Sequence, residues 1–178
     1  MSVGVDVSSL AWLKNRAEII LFDSGFNQRL GAINIQALCD LLDNLYGPMV
    51  SATTMKYLEF NRGKQEASKV ALERQSSSIV DLVKEIIKIN RITGMGITEV
   101  SLPNNSNGTG AYVVEVQNPI VKKAEGAAGV FLISYWAGAL TSIIGKQLEV
   151  KTISYDESRD VIVGELATKI IVPDMDMQ

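Results

Sequence analysis

The sequence contains no histidine and a single cysteine, Cys39, among 178 residues. The first absence removes the commonest general base and metal ligand. The second excludes an internal disulfide and leaves a thiol nucleophile without its usual partner. Zinc takes about four N, S or O donors, and the usual ones are not here. Clustered basic charge is missing as well. Seventeen Lys and Arg stand against 20 Asp and Glu, a net charge of −3, and the longest basic run is the pair Lys122 and Lys123. Phosphate backbones call for a basic stripe, so nucleic acid is not an expected partner. No G-x-S-x-G, P-loop or dinucleotide fingerprint occurs. Residues 1–16 lack a basic segment followed by a long apolar core, so no secretory signal is expected and the cytoplasm is the default location.

What the chain does have is an uncharged stretch over residues 127–144, AAGVFLISYWAGALTSII. At ~18 residues and ~1.5 Å rise per residue, its length approaches that of a bilayer core. Its composition points elsewhere. Gly129, Ser134, Gly138, Thr141 and Ser142 dilute the run, and the flanking Lys122, Lys123 and Lys146 show no one-sided bias. Small residues at 134, 138, 142 and 145 recur at helical spacing, so one face can take another backbone at close range. A buried helix is expected, not a membrane span. Cys39, set in an apolar helical pattern, reads as a small buried hydrophobe.

Residues 18–22 read as a short strand with 29–33 as a possible partner, although Leu10, Leu13, Ala17, Ile20 and Leu21 also fit one helical face. Asn34 can cap a helix in which Ile35, Leu38, Leu41, Leu42 and Leu45 keep helical spacing until Gly47 and Pro48 stop it. Ser51 is expected to open a longer helix to about Glu73, with Met55, Leu58, Phe60, Val70 and Leu72 as its apolar content. Gly63 interrupts that helix. A mid-helix glycine costs about 1 kcal/mol relative to alanine, which suggests close packing or a ligand beside it, with simple tolerance as the alternative. Ser78 caps a further helix with Val83, Ile86 and Ile87 on its apolar face. Two hairpins follow, 97–102 with 112–116 and 148–155 with 161–168. The spacing predicts one α+β domain over 1–178: an antiparallel sheet of hairpins packed against a layer of helices, with a buried small-residue helix near the C-terminus.

This order of elements resembles the 4-vinyl reductase domain family, whose fold is shared with subunits of the TRAPP vesicle-tethering complex. The residues that carry the resemblance are Tyr57 to Gly63, the break Gly94, Met95 and Gly96, and the run from Ser134, Tyr135, Trp136 and Gly138 to Gly145 and Val150. It covers about residues 28–168, with 1–17 and 173–178 peripheral. Metal-binding members hold zinc through cysteines and an acidic residue around the last helix and hairpin. In register through Gly138 and Gly145, this chain has Gly129, Thr152, Tyr155 and Val163 at those places, so the resemblance implies a member without the metal site and with no cofactor. The acidic group Asp156, Glu157 and Asp160 reads as a solvated turn.

Similar domains act as sensory or scaffold modules, which suits a chain poor in catalytic groups; no enzyme is expected. A ligand pocket would lie between sheet and helices. The candidate ligand-binding residues are Phe60, Gly63, Tyr112, Phe131, Tyr135 and Trp136, each of which core packing also explains. The expected partners are a second copy of the chain, forming a homodimer, and a small apolar or aromatic ligand. The alternative is a structural role with a protein partner, similar to TRAPP-type assembly subunits.

Overall fold

The computed structural model describes residues 18–23, 28–75, 77–103 and 110–169, with side chains from Asn34 onward. Strands β1 (Glu18–Asp23) and β2 (Gln28–Asn34) form an antiparallel pair of their own. Asn34 then caps helix α1 (Ile35–Tyr46), its side chain accepting from the Ala37 N–H at 2.9 Å. Gly47, at φ +80°, ends α1 and sends its N–H to the Asp43 carbonyl at 2.9 Å. Helix α2 (Pro48–Glu73) begins at once, a turn before the expected Ser51. Proline suits the first helical position because its missing N–H would be unpaired there in any case, so Pro48 both stops one helix and starts the next.

Helix α3 (Ile79–Ile92) is capped by Ser78 and buries Val83, Ile86 and Asn90. Strands β3 (Ile97–Ser101) and β4 (Tyr112–Gln117) form the first hairpin. Residues 104–109 of its loop, and the peripheral segments expected at 1–17 and 173–178, lie outside the described residues. Helix α4 (Gly126–Ile144) follows, then the hairpin of β5 (Leu148–Asp156) and β6 (Val161–Thr168). These four strands make one antiparallel sheet in the order β3-β4-β6-β5.

One face of the sheet is covered. Val116 pairs with Thr98 on one side and Ile162 on the other, Val114 with Gly164, and Tyr112 with Leu166, and all seven point inward and are buried. On β5 the inward set changes parity: Leu148 and Val150 are opposite Thr168 and Leu166, whereas Ile153 and Tyr155 are opposite Gly164 and Ile162. An extra residue at Lys151 causes the change, because one inserted residue flips every later side chain to the other face.

Helix α4 is the centre of the fold. Its best window has a mean hydropathy of 1.7, yet 78% of that window is buried within the protein, so the uncharged stretch is a core helix. One side meets the sheet, where a Cβ at Gly164 would fall 2.4 Å from Ile133 Cγ2. The other side meets α2. A Cβ on Gly63 would lie 2.0 Å from the Tyr135 carbonyl oxygen, and one on Gly138 would lie 1.9 Å from that of Phe60. Further along, the Ser68 and Ser142 hydroxyls bond at 2.8 Å. The two helices therefore run parallel in near backbone contact, made from the small face expected at 134, 138, 142 and 145 by Gly138 and Ser142, whereas Gly145 caps the helix with open space beside it. The inward stripe of α2 is Ser51, Met55, Glu59, Gly63, Ala67 and Val70. Leu58 and Leu72, expected among its apolar content, are exposed instead, because a helix that meets a backbone needs small residues inside and sends its large ones out.

Gly63→Ala and Gly138→Ala are each expected to cost about 1–3 kcal/mol in urea denaturation, the usual scale of overpacking. The double variant should cost less than the sum, since moving the helices apart for one methyl makes room for the other. Additive losses would show that the two contacts are independent.

Candidate functional site

A cavity of about 330 Å³ opens where the first half of α2, the middle of α4 and the start of β5 converge. Phe60, Ala137, Leu148 and Val150 give it an apolar interior. Ser134 also reaches it, fully buried and with a hydroxyl that has no hydrogen-bond partner among the described residues. A helical serine can bond back to the preceding turn, and this one does not. Thr53, Tyr57, Lys56, Glu149 and Lys169 form the rim. Thr53 is turned back onto the Met49 carbonyl at 2.8 Å.

Across the seam from the cavity lies a second constellation. Phe60 and Arg62 are two residues apart, roughly 200° around the helix, so they flank the α2/α4 contact on opposite sides. Arg62 donates to Glu59 Oε2 from Nε at 2.8 Å and from Nη2 at 2.6 Å. Its guanidinium carbon stands 4.4 Å from the centroid of the Tyr135 ring and 5.8 Å from that of Phe131. The Tyr135 hydroxyl donates to Glu66 Oε2 at 2.9 Å. Burial raises the Glu59 carboxyl above its ordinary value of 4.5, with Arg62 pulling the other way. Burial, with the charge of Glu66, also raises Tyr135. This group holds itself together and contains no unspent nucleophile. Cys39 is fully buried and pushed up to about 12 by that burial and by the charges of Asp43 and Asp40, so it is not a thiolate near neutrality.

The head of α4 is completed from another helix. Glu125 gives it no side-chain cap, but Asp43 of α1 accepts from the Ala127 N–H at 3.0 Å and from the Ser51 hydroxyl. A carboxylate there also meets the positive end of the helix dipole. A Cβ on Gly126 would fall 2.1 Å from Asp43 Oδ2.

Of the six sequence candidates, Phe60 lines this cavity. Gly63 sits against the Tyr135 carbonyl, Phe131 and Tyr135 lie by Arg62, Trp136 packs edge-on against Tyr135 with centroids 5.9 Å apart, and Tyr112 is buried on β4. Sequence reasoning missed Thr53, Lys56, Tyr57, Ala137, Leu148, Val150 and Lys169 as lining. Ser134 was legible only as a small residue.

No group of three or more Cys, Asp and Glu suited to a metal occurs among the described residues. Asp156 is engaged by Ser158 and Arg159, whose hydrogen bonds hold it down at about 2. Asp160 takes the Tyr155 hydroxyl at 2.8 Å and Lys122 at 2.7 Å.

No family model matches the chain, and no curated protein matches it in sequence. Solved structures do match it. The phenol-responsive sensory domain of the transcription activator PoxR, solved with phenol, is similar over 94% of this chain and 92% of its own, with a TM-score of 0.61 and 14% identity. A vinyl-4-reductase family protein from Methanocaldococcus jannaschii is similar over 92% of each chain, with a TM-score of 0.53 and 18% identity. A trafficking protein particle complex subunit 3 from Naegleria fowleri, covalently bound to palmitic acid, matches 78% of this chain and 92% of its own, with a TM-score of 0.53 and 12% identity. The fold is therefore shared with both groups named by the resemblance.

Two measurements check this geometry. Ser134→Ala removes a buried hydroxyl that has nothing to bond, so urea denaturation of the free protein should show unchanged stability or a gain of up to ~1 kcal/mol; a clear loss would reveal a partner. The raised Glu59 carboxyl favours the protonated form in the folded state. Its contribution is fully present below its unfolded value and fades as pH rises from about 4.5 through the folded value. Stability curves across mildly acidic pH should thus fall less steeply for Glu59→Gln than for the wild type, and parallel curves would contradict the assignment.

Proposed function

We propose that this protein is a non-catalytic sensory domain that binds a small apolar or aromatic molecule and works as a homodimer. The cavity carries the reading: an apolar interior with one buried, unbonded hydroxyl is the composition of a small-molecule site, in which few polar groups fix orientation. The shared fold with a phenol-responsive sensory domain supports it. The chain's lack of histidine and the inertness of Cys39 support the absence of catalysis. In this reading Phe60 touches the ligand, while Gly63 sets how closely α2 approaches α4. Phe131, Tyr135, Trp136 and Tyr112 form the packed frame behind that contact.

Dimerisation has a surface to use. Leu41, Leu45, Tyr46, Met49, Val50, Tyr57 and Leu58 are exposed on α1 and the first half of α2, with Leu45 at 63%, Met49 at 80% and Tyr57 at 71%. Charge is nearly absent from it. Asp40 and Asp43 are the charges of α1 and turn to Lys123 and to the head of α4, and Lys56 is the single charge between residues 48 and 58. A two-fold pairing of this face with itself buries large apolar side chains and opposes almost no like charges. Tyr57 belongs to both this face and the cavity rim, so an occupied cavity bears on the surface that a second copy would cover. The same face favours the alternative, an assembly subunit paired with a different protein.

Native mass spectrometry and thermal-shift screening with phenol, alkylphenols and medium-chain acids should show a bound compound or a melting-temperature rise of several degrees. Ala137→Leu, which fills the cavity, should abolish the response. A protein that retains and responds to none of them has no such site. For the dimer, light scattering at micromolar concentration should give twice the chain mass, and Leu41→Glu with Leu45→Glu should give the single mass with unchanged circular dichroism. A monomeric wild type would remove the homodimer from the proposal.

A further inference from the structure

The rim of the cavity differs in sign from the rest of the molecule. The chain as a whole carries −3, yet two lysines and one glutamate meet at this opening, Lys56 from α2, Lys169 after β6 and Glu149 from β5. The glutamate is already taken, because Lys151 pairs with it from two residues away. Lys151 holds Glu149 below its ordinary value, and the charges of Lys169 and Lys56 add to that effect, so both ammonium groups act on the same spot. Neither Lys56 nor Lys169 has a carboxylate within ion-pair distance among the described residues. The opening therefore offers two cations with no ion-pair partner among the described residues, placed over an apolar chamber of about 330 Å³. At the inner end the buried Ser134 hydroxyl waits for one hydrogen-bonding atom.

The geometry points to a small organic acid as the ligand: a monocarboxylate at the mouth between Lys56 and Lys169, an apolar body against Phe60, Ala137 and Leu148, and one polar atom at the far end for Ser134. This deepens the ligand-binding reading above and rests on it. A neutral apolar compound would leave both ammonium groups without a partner from the described residues, whereas a carboxylate gains charge-assisted hydrogen bonds from both at the mouth.

Isothermal titration with 3-(4-hydroxyphenyl)propanoate and its primary amide, which keeps the shape and removes the charge, separates the possibilities. The acid is expected to bind about fivefold or more tightly than the amide, the scale of two partly exposed ion pairs. The preference should shrink as salt is raised and vanish in K56Q/K169Q, where melting curves confirm folding and the two probes bind alike. An amide that binds wild type as tightly as the acid overturns the carboxylate and leaves the cavity reading in place. So does a preference that survives K56Q/K169Q. Binding of neither probe, with no response to any compound in the thermal-shift screen, overturns both.

Discussion

Two helices cannot approach backbone to backbone unless each offers the other a residue without a side chain, and that condition governs this fold. Gly63 admits the carbonyl of Tyr135, and Gly138 admits that of Phe60. The exchange is reciprocal, so neither glycine is a local accident. Because α2 and α4 meet this closely, α4 can be enclosed between α2 and the sheet over most of its length. Its uncharged length is then an asset, since nothing on it needs water. The short helix dipole interactions that parallel packing opposes are met at one end by the Asp43 carboxylate rather than by solvent.

The seam also divides the protein into regions of different chemistry. Side chains immediately beside it must splay to either side, and the two sides are filled differently. On one, Arg62 draws Glu59, Glu66, Tyr135 and Phe131 into a closed set of ion pairs, hydrogen bonds and ring contacts. On the other, small residues at Ser134 and Ala137 stand opposite Phe60 and leave a chamber that the lysine-bearing rim overlooks. The bulge at Lys151 contributes to both walls of β5: it lets Leu148 and Val150 face the chamber and, further along, lets Tyr155 face Asp160.

Much of this architecture is legible in the sequence, and the reason is periodicity. The hairpins, the capped helices at Asn34 and Ser78, and the small stripe at 134, 138 and 142 all announce themselves through spacing within one element. The chamber does not, because its lining is gathered from four separate segments of the chain, each contributing only one or a few side chains. Tyr57 and Lys56 look like ordinary surface residues of α2 until β5 is placed beside them. The inward stripe of α2 defeats hydrophobicity as a guide for a different reason. Its partner is a backbone, so Ser51, Glu59, Gly63 and Ala67 face in while Leu58 and Leu72 face out. Aromatic content is a weak guide in the same way, since of the five aromatic candidates Phe60 alone lines the chamber, and Tyr57 joins it from the rim.

The bond from Asp43 to the head of α4 spans 84 residues of chain, and it bears on the order in which the protein acquires its structure. Helices α1 and α2 are neighbours in sequence and can form early from local contacts, with Ser51 and Asp43 meeting eight residues apart. The central helix has no cap of its own and no exposed polar face, so alone it is an apolar segment with unsatisfied N–H groups. It gains a finished terminus only by docking onto a pair that is already built. Closing so long a loop before the reward arrives makes the step slow relative to helix formation itself. The element that is innermost in the finished protein is thus the one whose structure is completed by others, and folding waits on its arrival.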